Sequence, residues 1–360
     1  MTQRNYVYRF LLLSAALLAL MAAVNYIADP LWMFRGSEAI PVKQVDFNER
    51  QQKTNYLHFK AHDFDALVLG NSRSTYIDQN AFAFKDAKVF NYACNAMFQN
   101  EYDGFIEIFT KLTGNDPKYI IIGMDYIYGR PDDAYEKYRE EVFAYYRKSM
   151  EPSYRAQSLL LLDTLIYSLQ DLKKTWDVAN GVYDRKQRFY DKKNVKGLPG
   201  ANSVDYSALF ANQVPVALEA RDFKADRDYY AYLQSKYPEA EFVIFIPPVP
   251  NEILRAYHDN GMEEAFLLWV RDLTQSFGKV YNFMYPNPIS ADGRNFFDAA
   301  HFYPNVGAMI AGQISSEMGS RDDFGVLLTP ENVDDFIREY RAAFQKGAAP
   351  VRIAKEAHAL

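Results

Sequence analysis

Asp65-Ala-Leu-Val-Leu-Gly-Asn-Ser-Arg-Ser74 is the stretch whose reading decides the fold. A short apolar run ended by glycine is the mark of a strand buried on both faces, as in a parallel sheet. Lys88-Val-Phe-Asn-Tyr-Ala93 reads as a second strand and Lys118-Tyr-Ile-Ile-Ile-Gly-Met-Asp125 as a third. Between them, residues 99–113 carry Phe105, Ile108, Phe109 and Leu112 at a helical period. This alternation predicts an α/β domain with a mainly parallel central sheet and helices on its faces.

The rhythm breaks over residues 133–237. Helices are expected at 133–150, 155–179 and 216–236, with a polar loop at 183–205, and together these form an insertion. Long insertions are a common carrier of specificity, so this one is expected to cover the site. Glu241-Phe-Val-Ile-Phe-Ile-Pro247 resumes the sheet, and a helix at 261–277 precedes a fifth strand, Gly278-Lys-Val-Tyr-Asn-Phe283. A last helix of the domain spans 305–319. The domain is thus expected at 65–330, after a connection at 29–64 and before a helical tail at 331–360.

The composition is that of a folded globular chain: 49% apolar and 24% charged residues over 360 positions. The net charge of −6, with no Lys/Arg block, argues against a nucleic-acid partner. Cys94 is the single cysteine, which rules out an internal disulfide and a cysteine metal site. No spacing of His, Asp and Glu suggests a metal, and no glycine-rich phosphate loop follows a strand, so no cofactor is expected.

The N-terminus carries its own signal. Residues 10–24 contain no charge, and Arg4 and Arg9 precede them. About 20 apolar residues span a bilayer core as helix, so residues 1–28 read as a transmembrane anchor or a signal segment. No clean small-x-small cleavage site is present, which favours the anchor. The positive flank directs the remainder of the chain out of the cytoplasm.

Two places can carry chemistry. Ser72 follows the first strand, at the ligand side of an open α/β sheet. There its hydroxyl is presented and its N–H is free for an oxyanion. A serine in that position is also a preferred helix N-cap. Asp298 lies three residues before His301 in Asp298-Ala-Ala-His-Phe-Tyr-Pro304. A carboxylate so placed can orient an imidazole and stabilise its protonated form. A solvated loop pair would look the same. Considered together, a serine after the first strand and an Asp-x-x-His after the last can meet in one crevice.

These two motifs resemble blocks I and V of the SGNH (GDSL-like) hydrolase family. Asn91-Tyr-Ala-Cys-Asn-Ala96 resembles block II, Ile120-Ile-Ile-Gly-Met-Asp125 stands where block III would, and Pro247-Pro248-Val249-Pro250 after a strand is also typical. The resemblance spans roughly residues 65–320. It implies a three-layer, flavodoxin-like sandwich with Ser72, His301 and Asp298 as a catalytic triad. Oxyanion donors would come from Ser72 and the block II turn, with Asn71, Asn95 and Ala96 as candidates. Block III departs from the family: its usual Asn donor is replaced near Asp125, and an ionised carboxylate cannot donate. Arg73 is expected to pair with Asp125 and support the site.

The nearest members by this resemblance are anchored proteins of the bacterial cell membrane, with the domain on the periplasmic or extracytoplasmic side. They are linked to O-acylation of envelope polysaccharides, such as alginate acetylation and teichoic-acid D-alanylation. The expected activity is that of a serine esterase or O-acyltransferase on acyl esters of a carbohydrate. The expected partners are a polysaccharide, the inner membrane and a membrane-bound O-acyltransferase. The competing expectation is a non-catalytic accessory protein that holds a polysaccharide or a membrane partner.

Overall fold

The structure is a computed structural model that describes residues 3–34, 48–60, 62–126, 135–176, 182–183, 190–191, 226–296, 300–315 and 323–345. The strands are β1 (Ala66–Gly70), β2 (Val89–Asn91), β3 (Tyr119–Gly123), β4 (Val182–Tyr183), β5 (Tyr190–Asp191), β6 (Glu241–Ile246), β7 (Val280–Asn282) and β8 (Val326–Leu328). The helices are α1 (Gln3–Ala28), α2 (Glu49–Phe59), α3 (Tyr102–Thr113), α4 (Tyr135–Met150), α5 (Tyr154–Ser158), α6 (Leu162–Trp176), α7 (Arg227–Lys236), α8 (Asn251–Asp259), α9 (Glu263–Phe277), α10 (Pro288–Ala291), α11 (Pro304–Ser315) and α12 (Val333–Gln345).

The main sheet has six strands in the order β2-β1-β3-β6-β7-β8. The first five run parallel, and β8 pairs antiparallel with β7. This is the mostly parallel α/β arrangement that the buried apolar runs predict. Side chains alternate between its faces as strand geometry requires. Leu67, Leu69, Ile120, Ile122, Ile244 and Ile246 join one apolar cluster, together with Phe105 and Phe109 of α3 and Trp269 of α9. Ala66, Val68, Ile121, Val243 and Phe245 join the other, together with Val306 and Ile310 of α11.

The path around β1 positions the site. The chain leaves β1 through short 3-10 turns, and Tyr76 and Ile77 from this stretch enter the second cluster. It leaves β2 through α3, which enters the first cluster. The connections after these two neighbouring strands therefore lie on opposite faces. In open α/β sheets the crevice outside the strand ends at such a reversal is where ligands bind.

Several elements differ from expectation. The 29–64 connection carries α2, whose Gln52, Lys53, Thr54, Asn55 and Leu57 are all fully buried. Its mixed polar face gives no apolar stripe to read, because its buried groups are satisfied by distant backbone. Gln52 Nε2 donates to the Pro30 carbonyl at 2.6 Å and Asn55 Nδ2 to the Leu31 carbonyl at 2.9 Å. Strands β4, β5 and β8 and helices α8 and α10 also appear where no element was expected, and the single helix expected at 155–179 is two, α5 and α6, broken at Leu159–Leu161. A three-residue strand on the sheet edge is too short for a periodicity, and α8 begins directly after Pro250. The expected 216–236 helix is described only as α7, and the 183–205 loop lies outside the described residues apart from Tyr183 and β5.

The end of α1 is fastened to this body. Asp29, at φ 46°, accepts hydrogen bonds from Met33 N–H at 2.7 Å and Phe34 N–H at 3.0 Å. The same carboxylate forms a buried ion pair with Lys60 at 3.0 Å. Helix α1 itself is long and apolar enough to cross a membrane, and almost all of it is exposed.

Helix α11 approaches the turn after β1 at a glycine. A methyl group at Gly307 would lie 2.4 Å from the Tyr76 carbonyl oxygen. Backbone cannot swing away as a side-chain tip can, so Gly307→Ala should cost about 1–3 kcal/mol, as overpacking does. Urea unfolding of the full-length protein in detergent micelles reads this directly. An unchanged midpoint would show that α11 and the turn are not in contact.

Candidate active site

The turn after β1 is built around two glycines. Gly70 has φ +138°, a region that L side chains rarely adopt. Gly70 and Gly123 are register partners at the ends of β1 and β3. A Cβ on Gly70 would lie 2.3 Å from Ser74 Oγ, and one on Gly123 would lie 2.1 Å from the same atom. Ser74 therefore drops into the space left by two absent side chains. This pulls the Asn71–Ser74 turn down onto the strand ends. The turn is closed by Ser74 N–H donating to the Asn71 carbonyl at 3.0 Å and by Arg73 N–H donating to Asn71 Oδ1 at 3.1 Å.

Ser72 stands half-buried at the top of this turn. Its Oγ lies 2.7 Å from His301 Nε2, across 229 residues of chain. That contact is the serine–imidazole arrangement in which the nitrogen can take the hydroxyl proton. His301 sits just before α11, in a loop drawn together by an antiparallel bridge between Phe296 and Phe302 and by Tyr303 N–H donating to the Asn295 carbonyl at 2.9 Å. The Tyr76 ring packs on the His301 ring, with centroids 5.5 Å apart. Asp298, the expected third member, lies outside the described residues. Among the described residues no acceptor takes the Ser72 N–H. This leaves that N–H available to an oxyanion.

Arg73 and Asp125 form a buried ion pair beneath Ser72. Neither Asp125 oxygen has a well-aligned hydrogen bond, so this is a charge contact more than a directed bond. Burial raises the Asp125 carboxyl above its ordinary range, against the opposing pull of Arg73, of the Asn71 amide and of His301. Asp125 thus stands in the expected block III place as a charge partner and not as a donor. Asn71 is buried too: its Oδ1 accepts from Arg73 N–H, and its amide is among the groups that oppose the rise at Asp125. Beside Asn71 and Asp125 is a cavity of about 10 Å³, lined also by Met97, Tyr102 and Trp269, which has room for one water.

The turn after β2 comes alongside, because Cys94 N–H donates to the Gly70 carbonyl at 3.1 Å. Asn91 ties the two turns together. Its Nδ2 donates to the carbonyls of Ser74 (2.9 Å) and Ile77 (2.8 Å), and its Oδ1 accepts from Ala93 N–H at 3.1 Å. Ala96 is exposed at φ +49°, and Asn95 is exposed as well. Asn95 N–H donates to the Glu49 carboxylate, so this backbone donor is already engaged. Arg50 donates to the carbonyls of Asn95 (3.1 Å) and Ala96 (3.2 Å), and Lys53 donates to that of Ala93. Cys94 is fully buried, and burial pushes its thiol up to about 12, so it is an inert small core residue.

Asn91, Glu49, Arg50 and Lys53 are the site-building residues that the sequence reading did not single out. Asn91 carries a signal, as the polar end of an apolar run. The α2 residues carry none, since their partners lie some 40 positions away.

A groove of about 240 Å³ opens beside Ala96. It is lined by Phe98, Val142 and Tyr145, with Arg50, Glu101 and Glu141 around them. No protein-family model matches the chain, and no curated protein matches it significantly.

The Arg73–Asp125 pair makes a pH-dependent prediction. A carboxyl whose folded pKa is raised contributes stability at low pH that is lost as pH rises through that value. Arg73→Met removes the cation that opposes this rise. The variant should therefore lose about 3–5 kcal/mol at about pH 8 and clearly less at about pH 5, where Asp125 can stay protonated. Adding Asp125→Asn should abolish the difference between the two pH values. Urea unfolding of the full-length proteins in micelles measures all three, and an equal loss at both pH values would contradict the pairing.

Proposed function

We propose that this chain is a serine esterase or O-acyltransferase of SGNH type, acting on acyl esters of a cell-envelope or exported polysaccharide. The observation that carries the reading is the 2.7 Å contact between Ser72 Oγ and His301 Nε2 at the strand ends. Serine is a weak nucleophile until a base within hydrogen-bond reach activates it. The strand order and the apolar clusters on both sheet faces support the three-layer, flavodoxin-like arrangement.

In this mechanism Ser72 Oγ attacks the acyl carbonyl while His301 Nε2 takes its proton. The imidazolium then protonates the leaving alkoxide, and an acyl-enzyme remains on Ser72. Water or a sugar hydroxyl, deprotonated in turn by His301, attacks that ester and restores the serine. Water as acceptor makes the protein an esterase, and a sugar hydroxyl makes it a transferase. The Ser72 N–H supplies one oxyanion donor. Asp298 is the carboxylate assigned to orient His301. With Asp125 turned to Arg73, the hole lacks the usual side-chain donor. The groove beside Ala96, with Phe98 and Tyr145 among charged groups, suits a carbohydrate better than a lipid tail.

Anchorage by α1, with the domain on the extracytoplasmic side, completes the reading. A membrane-bound O-acyltransferase working on the same polymer is the partner that this placement fits. The same feature that weakens the oxyanion hole motivates the non-catalytic alternative, a polysaccharide-holding accessory. An activated serine has no purpose in that role, which is why catalysis is preferred.

The two part on one assay. The full-length protein in micelles should release p-nitrophenol from p-nitrophenyl acetate, and Ser72→Ala or His301→Gln should each lower the rate by about 10³-fold or more. Equal rates for folded wild type and Ser72→Ala would discard the catalytic reading and leave the accessory role.

A further inference from the structure

Helix α6 buries a polar stripe and exposes an apolar one, with Asp163, Gln170 and Lys173 exposed beside the apolar stripe and Leu165 and Leu172 half-buried. Thr164, Ser168 and Asp171, spaced at four and three, are 4%, 0% and 0% exposed. Leu162, Ile166 and Leu169, spaced at four and three on the other side, are 69%, 52% and 53% exposed. Leu160 and Leu161, just before the helix, add two more half-exposed side chains. A surface helix of a water-soluble domain has the reverse pattern. Apolar side chains gathered on one exposed face mark a contact with something apolar.

What covers this face is indicated by the neighbour of α6. It packs along α1, the one helix among the described residues long and apolar enough to cross a bilayer. The joint is specific and buried. Ser168 Oγ donates to Asn25 Oδ1 at 2.8 Å, and Asn25 Nδ2 donates to the carbonyls of Leu159 at 2.9 Å and Leu161 at 3.4 Å. Asn25 stands where the apolar run of α1 ends, and Tyr26 and Ile27 beside it are exposed. An amphipathic aromatic at that level is characteristic of the membrane–water interface. On the proposed reading that α1 crosses the bilayer, Leu160–Leu162 and the outer face of α6 would adjoin its lipid-facing surface near Asn25.

We propose that α6, with the Leu160–Leu162 ledge before it, lies in the headgroup–acyl boundary of the leaflet on the domain's side. The occupant of the apolar face is phospholipid acyl chain. The helix has the character of an interfacial helix whose apolar side is buried several ångströms deep. The domain then rests on the membrane through two contacts, and the insertion divides its work. Helix α4 borders the groove, while α5 and α6 belong to the membrane foot.

The test uses the full-length chain in nanodiscs, whose two faces are both open to solvent. Cys94 is fully buried, so single cysteines introduced by Leu162→Cys, Ile166→Cys and Leu169→Cys can be labelled with bimane. Leu268→Cys on α9, 45% exposed in the wild type, is the apolar control away from α1. Far-UV circular dichroism equal to that of wild type selects the folded proteins. Lipids brominated along the acyl chain should quench the three α6 labels at least twofold. Aqueous iodide should quench them less than half as much as the control. Iodide quenching equal to the control, without lipid quenching, would overturn the proposal. Protection from iodide without acyl-chain quenching would overturn it as well, since a second copy or another protein would then cover the face.

Discussion

The site depends on the pairing of Gly70 with Gly123 at the ends of two adjacent parallel strands. Two absent side chains let the Ser74 hydroxyl settle between the strands, within 2.3 Å of where a Cβ would stand. Once that turn is drawn down, Ser72 is held at a fixed height above the sheet edge. Asn91 then clips it to the next turn from the side, and Gly307 lets α11 close against it from the other face. His301, at the start of α11, reaches Ser72 because of this close approach. Backbone conformation and the absence of side-chain volume thus do more to assemble the site than any single attractive contact.

Beneath the serine the balance is electrostatic. Arg73 and Asp125 are both nearly inaccessible to water. Burying two charges carries a desolvation cost that their attraction offsets only in good geometry. Such pairs are weak contributors to stability, and their value here is positional. Arg73 follows Ser72 directly and Asp125 lies two residues beyond β3, so their contact ties the serine turn to the end of that strand. The consequence is a site with a firm floor and a sparse set of oxyanion donors.

Much of this was legible along the chain, for physical reasons that differ by element. The central strands were readable because strands buried on both faces leave unbroken apolar runs ended by glycine, as at Leu67–Gly70 and Ile120–Gly123. Ser72 was readable because it directly follows such a strand, and His301 because Asp298 stands three residues before it after the last strand read from the sequence. The role of α2 was hidden. Its buried Gln52, Lys53 and Asn55 look like a solvated surface in sequence, and only their partners at Pro30, Leu31 and Ala93 explain their burial. The engagement of the Asn95 N–H by Glu49 was hidden for the same reason. Helix α6 was legible as a helix, while the inversion of its faces was not, since periodicity gives a stripe but not the direction in which it points.

Helix α2 has a further consequence when its two ends are taken together. Lys60, just beyond one end, holds Asp29 at the foot of α1, and Glu49 at the other holds the turn beside the nucleophile. Eleven residues of helix make a strut of about 16 Å. That strut fixes the spacing between the foot of α1 and the turn beside Ser72, so a shift of α1 is passed to the site as a rigid displacement rather than absorbed by a loose connection.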